Sequence, residues 1–256
     1  MKHVLTMAVL ALFWANASLA EPLVVGVQPT APDLPENILR FHITFNEPMR
    51  EGVVSDHVVL RRKDTGEDVA QVFFDNFYEL WSDNHRRLTL VVDPGRVKTG
   101  LSANSEMGRA FVAGDDYVLS VLPGWVSLAG EALDTQFDHA FRAFPEIRSP
   151  MAPQDWQITF ENRVLSILFD RPIDIYSLSA HAVPITEDDI AVDGHWDLNG
   201  DGRRAQFTIQ GDAMPTRLAI RHRFEDVAGN TIIAAFDHKS GTIDARQERG
   251  ISFFEW

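Results

Sequence analysis

Apolar side chains recur at every second position through much of this 256-residue chain, the mark of strands with one face buried and one face outward. The clearest run is Leu39-Arg40-Phe41-His42-Ile43-Thr44-Phe45, closed by Asn46-Glu47-Pro48-Met49. Leu39, Phe41, Ile43 and Phe45 read as inward, Arg40, His42 and Thr44 as outward and solvated. The proline fixes φ and offers no ladder donor, so the strand stops there. Around this run the pattern predicts a strand over 23–28 and a hairpin from His57–Leu60 to Val69–Phe74 about the polar turn 64–68. It also predicts a strand over 88–92 stopped by Asp93-Pro94-Gly95-Arg96, one over 117–122, and a last strand starting at Phe137. Residues 97–113 read as a long loop, and no window of this half sustains a helical period.

The organising run returns 124 residues later as Leu165-Ser166-Ile167-Leu168-Phe169, closed by Asp170-Arg171-Pro172-Ile173. At the same offset His57 meets His181. At an offset of 117, Arg86-Arg87-Leu88-Thr89-Leu90 meets Arg203-Arg204-Ala205-Gln206-Phe207. At 99, Ala129-Gly130 meets Ala228-Gly229, and Phe137-Asp138-His139 meets Phe236-Asp237-His238. Strands are kept while loops change length, as a duplicated domain requires. Pro145, Pro150 and Pro153 mark the linker. The expectation is an all-β fold with little helix: a signal peptide over 1–20, then two tandem β-sandwich domains over 21–146 and 147–256.

The signal-peptide reading rests on Lys2 and His3, the apolar run Val4–Trp14, and Ser18-Leu19-Ala20 before Glu21. That run is too short to span a bilayer, and no later segment is apolar enough; an uncleaved membrane anchor is the competing reading. No cysteine is present, so the two cores have to fold without disulfides, and thiol catalysis and Cys-based zinc sites drop out. The formal charge of −14 is spread over both halves, 11 Lys and Arg against 20 Asp and Glu in 21–146, then 11 against 17. Such a surface lacks the clustered basic face of a nucleic-acid binder and is repelled by anionic membranes.

Phe45-Asn46-Glu47-Pro48-Met49 and Phe169-Asp170-Arg171-Pro172-Ile173 resemble the opening motif of the bacterial Ig-like domain of S-layer proteins and other exported multidomain proteins. Tyr117-Val118-Leu119-Ser120-Val121 resembles its closing strand, and Asp226-Val227-Ala228-Gly229-Asn230 its closing turn; Ser127-Leu128-Ala129-Gly130-Glu131 is a weaker version in the first copy. The stretch from Leu80-Trp81 to Arg96 also resembles a set of exported two-domain proteins. The resemblance implies tandem Ig-like sandwiches and carries no catalytic, cofactor or metal residues to transfer.

Candidate chemistry is sparse. Asp197, Asn199 and Asp201 followed by Gly202 have the opening spacing of a calcium loop, but its twelfth position is Thr208 in place of a bidentate carboxylate. A polar hairpin turn, equivalent to Ser82-Asp83-Asn84-His85, is the competing reading. Asp138-His139 and Asp237-His238 read as polar strand edges. The other histidines, His42, His57, His85, His181, His195 and His222, have no metal-ligand spacing, and no nucleophile motif occurs. Phe73, Phe74, Phe77, Tyr78 and Trp81 read as core aromatics, or as a platform for sugar rings. The tail Ile251–Trp256 reads as a terminal strand, or as a docking peptide. No catalytic, cofactor or metal site is assigned. The function expected is a non-catalytic binding or structural module of the bacterial cell envelope, periplasmic or secreted, whose partner is an envelope protein or glycan. The competing classes are a carbohydrate- or calcium-dependent binding module and a hydrolase with a loop-built site between the domains.

Overall fold

The computed structural model describes residues 21–52, 54–74, 79–98, 108–238 and 244–256, so the signal peptide expected over 1–20 lies outside the described residues. Alternation becomes strand wherever its apolar face finds a partner sheet. The first half holds β1 (Val24–Gln28), β2 (Asp33–Pro35), β3 (Arg40–Phe45), β4 (Val58–Arg62), β5 (Leu80–Ser82), β6 (Arg87–Val91), β7 (Asp116–Val121) and β8 (Phe137–Phe144). They form sheets ordered β1-β3-β6-β5 and β2-β8-β7-β4. The second half holds β9 (Gln157–Glu161), β10 (Val164–Leu168), β11 (Ala182–Ile185), β12 (Gly194–Leu198), β13 (Arg204–Ile209), β14 (Arg217–Arg221) and β15 (Ile251–Phe254). Their order is β12-β13-β10-β9 in one sheet and β11-β14-β15 in the other. Matched by place in the sheets, the second half repeats the order of the first, and among the described residues only β2, which runs parallel to β8, has no counterpart.

The fold is therefore mostly β. The helices among the described residues are single turns or little more: α1 (Val54–His57), α2 (Pro94–Val97), α3 (Ile175–His181) and α4 (Ala245–Glu248). None of them is long and apolar enough to cross a membrane. Two apolar clusters fill the interior. In the first, Phe41, Ile43, Phe45, Leu88 and Leu90 meet Leu60, Tyr117, Leu119, Val121 and Phe141. In the second, Leu165, Ile167, Ala205, Phe207 and Trp196 meet Leu218 and Ile220. At about 1.5–3 kcal/mol for each large side chain buried, these clusters are the main driving force for folding.

Three expectations need correction. The hairpin with β4 ends at Val69, whose N–H donates to the Leu60 carbonyl at 2.9 Å; beyond it the chain crosses to the other sheet, where Phe73 bridges Val92. The ladder partner of β4 is β7. Asp93–Arg96 is not a plain turn, because the Asp93 carboxylate accepts from the Gly95 N–H at 2.8 Å and starts α2. Phe236-Asp237-His238 does not begin a strand. The place of β8 in the second half is taken by β15, from the tail, with Leu218 opposite Phe254 and Arg221 opposite Ile251. Of the loop expected over 97–113, residues 99–107 lie outside the described residues.

The closing turn of the second half does not stay at home. Val227 is buried in the cluster of the first half, and its carbonyl accepts from the Leu39 N–H at 2.9 Å. Its equivalent, Leu128, is 56% exposed. Gly229 makes the close approach possible: it holds φ +77°, and a Cβ there would sit 2.6 Å from Leu39 Cδ2 and 3.1 Å from Phe236 Cδ2. Gly130 holds φ +97° with open space around it. Gly229→Ala is expected to cost about 3 kcal/mol, strain plus overpacking, and Gly130→Ala about 1 kcal/mol, strain alone. Urea titration of both variants checks this; equal losses would mean that the inserted turn contributes nothing beyond its backbone conformation.

Candidate functional site

The residues that join the halves come from the outward face of β3, the part of that strand its alternation leaves uncovered. His42 is not solvated, as strand alternation implied, but only 7% exposed. It is covered by the start of α3, where Asp174 caps the helix by accepting from the Tyr176 and Ser177 N–H groups at 2.9 and 3.0 Å. His42 Nε2 lies 3.3 Å from Asp174 Oδ2, and Nδ1 lies 3.0 Å from Thr89 Oγ1 on β6. An ionised carboxylate only accepts, so Nε2 carries the proton of the first bond. Arg40, two positions along β3, donates to Asp174 at 3.4 Å and pairs with Glu225 at 2.6 Å. Tyr176 reaches Thr44 Oγ1 at 3.3 Å, its ring lies edge-on to His42, and the Arg87 guanidinium stands 4.0 Å from its centre.

Burial alone would raise the Asp174 carboxyl. The His42 hydrogen bond and charge, the Ser177 N–H and Arg40 overcome that and hold it at about 2. Glu225 goes the other way, raised by burial in spite of Arg40. Nearby, burial pushes Asp226 up to about 6, against donors from Asn230, Ala228 and Arg171. The linker is clasped as well: Asn37 exchanges two hydrogen bonds with the Ile147 backbone, and Asn230 Nδ2 donates to the same Ile147 carbonyl at 3.0 Å. Arg148 adds a bond to Asp237 at 2.6 Å.

Beside this contact lies an open cleft of about 680 Å³ between the halves. Arg40, His42, Thr89 and Lys98 line it from the first half, and α3, the segment 222–238 and Glu248 from the second. Four of the nine histidines converge here: His42, His181, His222 and His238. His222 is bound on both nitrogens, to the Gln247 carbonyl and Ser252 Oγ, and His238 Nδ1 donates to the Ala235 carbonyl. Sequence spacing missed this group because its members sit 139, 41 and 16 residues apart and meet only through the docking of the halves.

The other candidates fall elsewhere. Asn199 and Asp201 spend their side-chain oxygens on the Arg203 and Arg204 N–H groups, and Asp197 lies on β12 paired with exposed His195 at 3.3 Å. That is a hairpin turn joining β12 to β13. Among the described residues no three acidic or histidine side chains gather as a metal cage. His139 is no free edge residue: its ring lies against Phe41 and Phe141, and burial lowers its pKa. Trp81 packs on Phe45 and Trp125, with His57 stacked on Trp125 and His85 on Trp81. Phe73 joins the first core and Phe74 is exposed, while Phe77 and Tyr78 lie outside the described residues. Trp256 continues the pairing of the tail by packing on Phe160.

Replacing Asp174 by Asn keeps a side-chain oxygen to cap α3 but removes the buried charge partner of His42 and Arg40, and is expected to cost about 3 kcal/mol at pH 7 in urea titration. The folded carboxyl titrates near 2 against 3.8 for the ordinary group, so its stabilisation is present above pH 4 and fades as pH falls through 2. The gap between wild type and Asp174→Asn should narrow over that range. A gap independent of pH would contradict the ion-pair role.

No protein-family profile matches the chain, and no curated protein does. Solved structures give distant matches. A crystal structure of the S-layer protein SbsC matches over 78% of this chain at 15% identity and a TM-score of 0.32. Native alpha-2-macroglobulin from Escherichia coli, spanning domains MG0-NIE-MG1, matches over 92% of this chain and 90% of its own length, at 11% identity and 0.31. The chain spans only 23% of the SbsC structure.

Proposed function

We propose that residues 21–146 and 147–256 are two tandem Ig-like sandwiches, exported behind the leader at 1–20, which act as one non-catalytic binding or structural module of a cell envelope, periplasmic or secreted. The repeated sheet order and the duplicated Phe-x-x-Pro and Ala-Gly turns support the domain reading. The observation that carries the non-catalytic reading is the use made of the acid–base residues. Asp174, His42 and Arg40 bind one another across the halves, so their hydrogen-bonding capacity goes into docking. The partner is an envelope protein or glycan, and nucleic acid and membrane insertion are disfavoured by the acidic surface.

One observation favours a second reading, a hydrolase. Thr89, His42 and Asp174 form a hydroxyl–imidazole–carboxylate chain with links of 3.0 and 3.3 Å. Against it, Thr89 sits inside β6, which pairs on both sides with β3 and β5, so the strand's N–H groups serve ladders and leave no oxyanion hole beside the hydroxyl. Purified protein is expected to hydrolyse p-nitrophenyl acetate at the buffer rate, with Thr89→Val indistinguishable from wild type. Turnover abolished by Thr89→Val would establish the hydrolase instead.

Affinity capture of residues 21–256 from envelope extract, washed at high salt, is expected to retain one specific component. The absence of any retained protein or glycan would overturn the binding role. Melting in millimolar calcium and in EDTA should coincide, because the Asn199 and Asp201 oxygens already serve the turn; a melting point raised by calcium would restore the cation-loop reading.

A further inference from the structure

We propose that the cleft between the halves binds an acidic sugar, its carboxylate held by Arg223 and His181 and its ring resting on the apolar floor at 233–236. The proposal rests on the non-catalytic binding reading and gives that reading a ligand class.

Charge bookkeeping across the cleft separates used from unused groups. Arg40 and His42 are committed to Asp174 and Glu225, which removes two of the three lining carboxylates from the balance. Glu248, at the end of α4, is the third. On the cationic side Arg223 is exposed and makes no hydrogen bond or ion pair among the described residues. His181 lines the cleft from the last turn of α3, with Nδ1 buried and without a partner. A buried N–H left unpaired is costlier than a bare lone pair, so the ring proton belongs on Nε2, where it is available as a donor. Burial, then Arg221 and Arg223, lower the pKa of His181, with only Asp174 opposing. Burial is the larger cause; the two guanidinium groups add to it from nearby, inside a protein whose formal charge is −14.

The ligand class follows from the rest of the wall. A volume of about 680 Å³ suits a group of one to three sugar rings rather than a lone anion. Ile233, Ala234, Ala235 and the Phe236 ring give a surface for the C–H face of a pyranose, and the Lys98 ammonium stands 4.6 Å from the centre of that ring. A carboxylate accepts from the Arg223 guanidinium and from the His181 Nε2–H, while the buried Nδ1 keeps its bare lone pair.

Isothermal titration of the full mature chain with digalacturonate, with neutral cellobiose and with succinate tests this. Digalacturonate is expected to bind, with cellobiose and succinate at least tenfold weaker. Arg223→Gln and His181→Gln should each weaken digalacturonate about tenfold, the loss of one charge-assisted hydrogen bond. Arg223 is exposed, so its variant should keep the wild-type melting temperature, which makes a loss of binding readable as a loss of contact. Equal binding of cellobiose would overturn the charged part, and equal binding of succinate would overturn the sugar part. No binding of digalacturonate, or binding that both variants leave intact, would overturn the site. A protein retained from envelope extract alongside silent sugar titrations would remove this cleft proposal while leaving the module reading in place.

Discussion

The carboxylate of Asp174 stands where the two halves of the chain meet, and four groups converge on it: two N–H groups of its own helix, the imidazole of His42 and the guanidinium of Arg40. A carboxylate taken this far from water is tolerated only when it is surrounded by donors. Two of these donors come from a strand more than 130 residues earlier, so the charge is stable only while the halves are docked. The position of α3, the burial of His42 and the wall of the neighbouring cleft all depend on that arrangement.

The same duplicated elements serve different ends in the two copies. In the first half the Ser127–Glu131 turn leaves Leu128 in solvent; in the second, the Asp226–Asn230 turn places Val227 in the apolar cluster of the first half. The two turns follow one geometry, since the Leu128 N–H donates to the Pro48 carbonyl and the Val227 N–H to that of Pro172. What differs is the presence of a partner surface. Apolar burial by Val227 and polar satisfaction by Asp174 thus act on the same joint from two sides, the first without direction and the second with it.

The fold was legible because strand alternation and turn chemistry are local. Phe41, Ile43 and Phe45 are buried as their spacing implies, and the tail pairs as a strand. The site was much less so. His42 alternates outward from its own sheet, yet a face that is outward from one half is interior once α3 and the rest of the second half cover it, and no local period encodes that. The match of Phe236-Asp237-His238 to Phe137-Asp138-His139 misled for a related reason: after β14 the chain lines the cleft, where Phe236 and His238 are part of the wall and Asp237 pairs with Arg148, and β15 from the tail fills the sheet. Asp226 to Asn230 was recognised as a turn, while its reach into the other core depended on Leu39, which sits far away in sequence.

If the halves are one docked body, their unfolding has to be coupled, because neither can open without exposing Val227 and stranding Asp174. Differential scanning calorimetry of residues 21–256 measures this coupling directly. The account predicts a single transition for the wild type, with calorimetric and van't Hoff enthalpies equal, which splits into two in His42→Ala. Two separate transitions in the wild type, unmoved by that substitution, would contradict it.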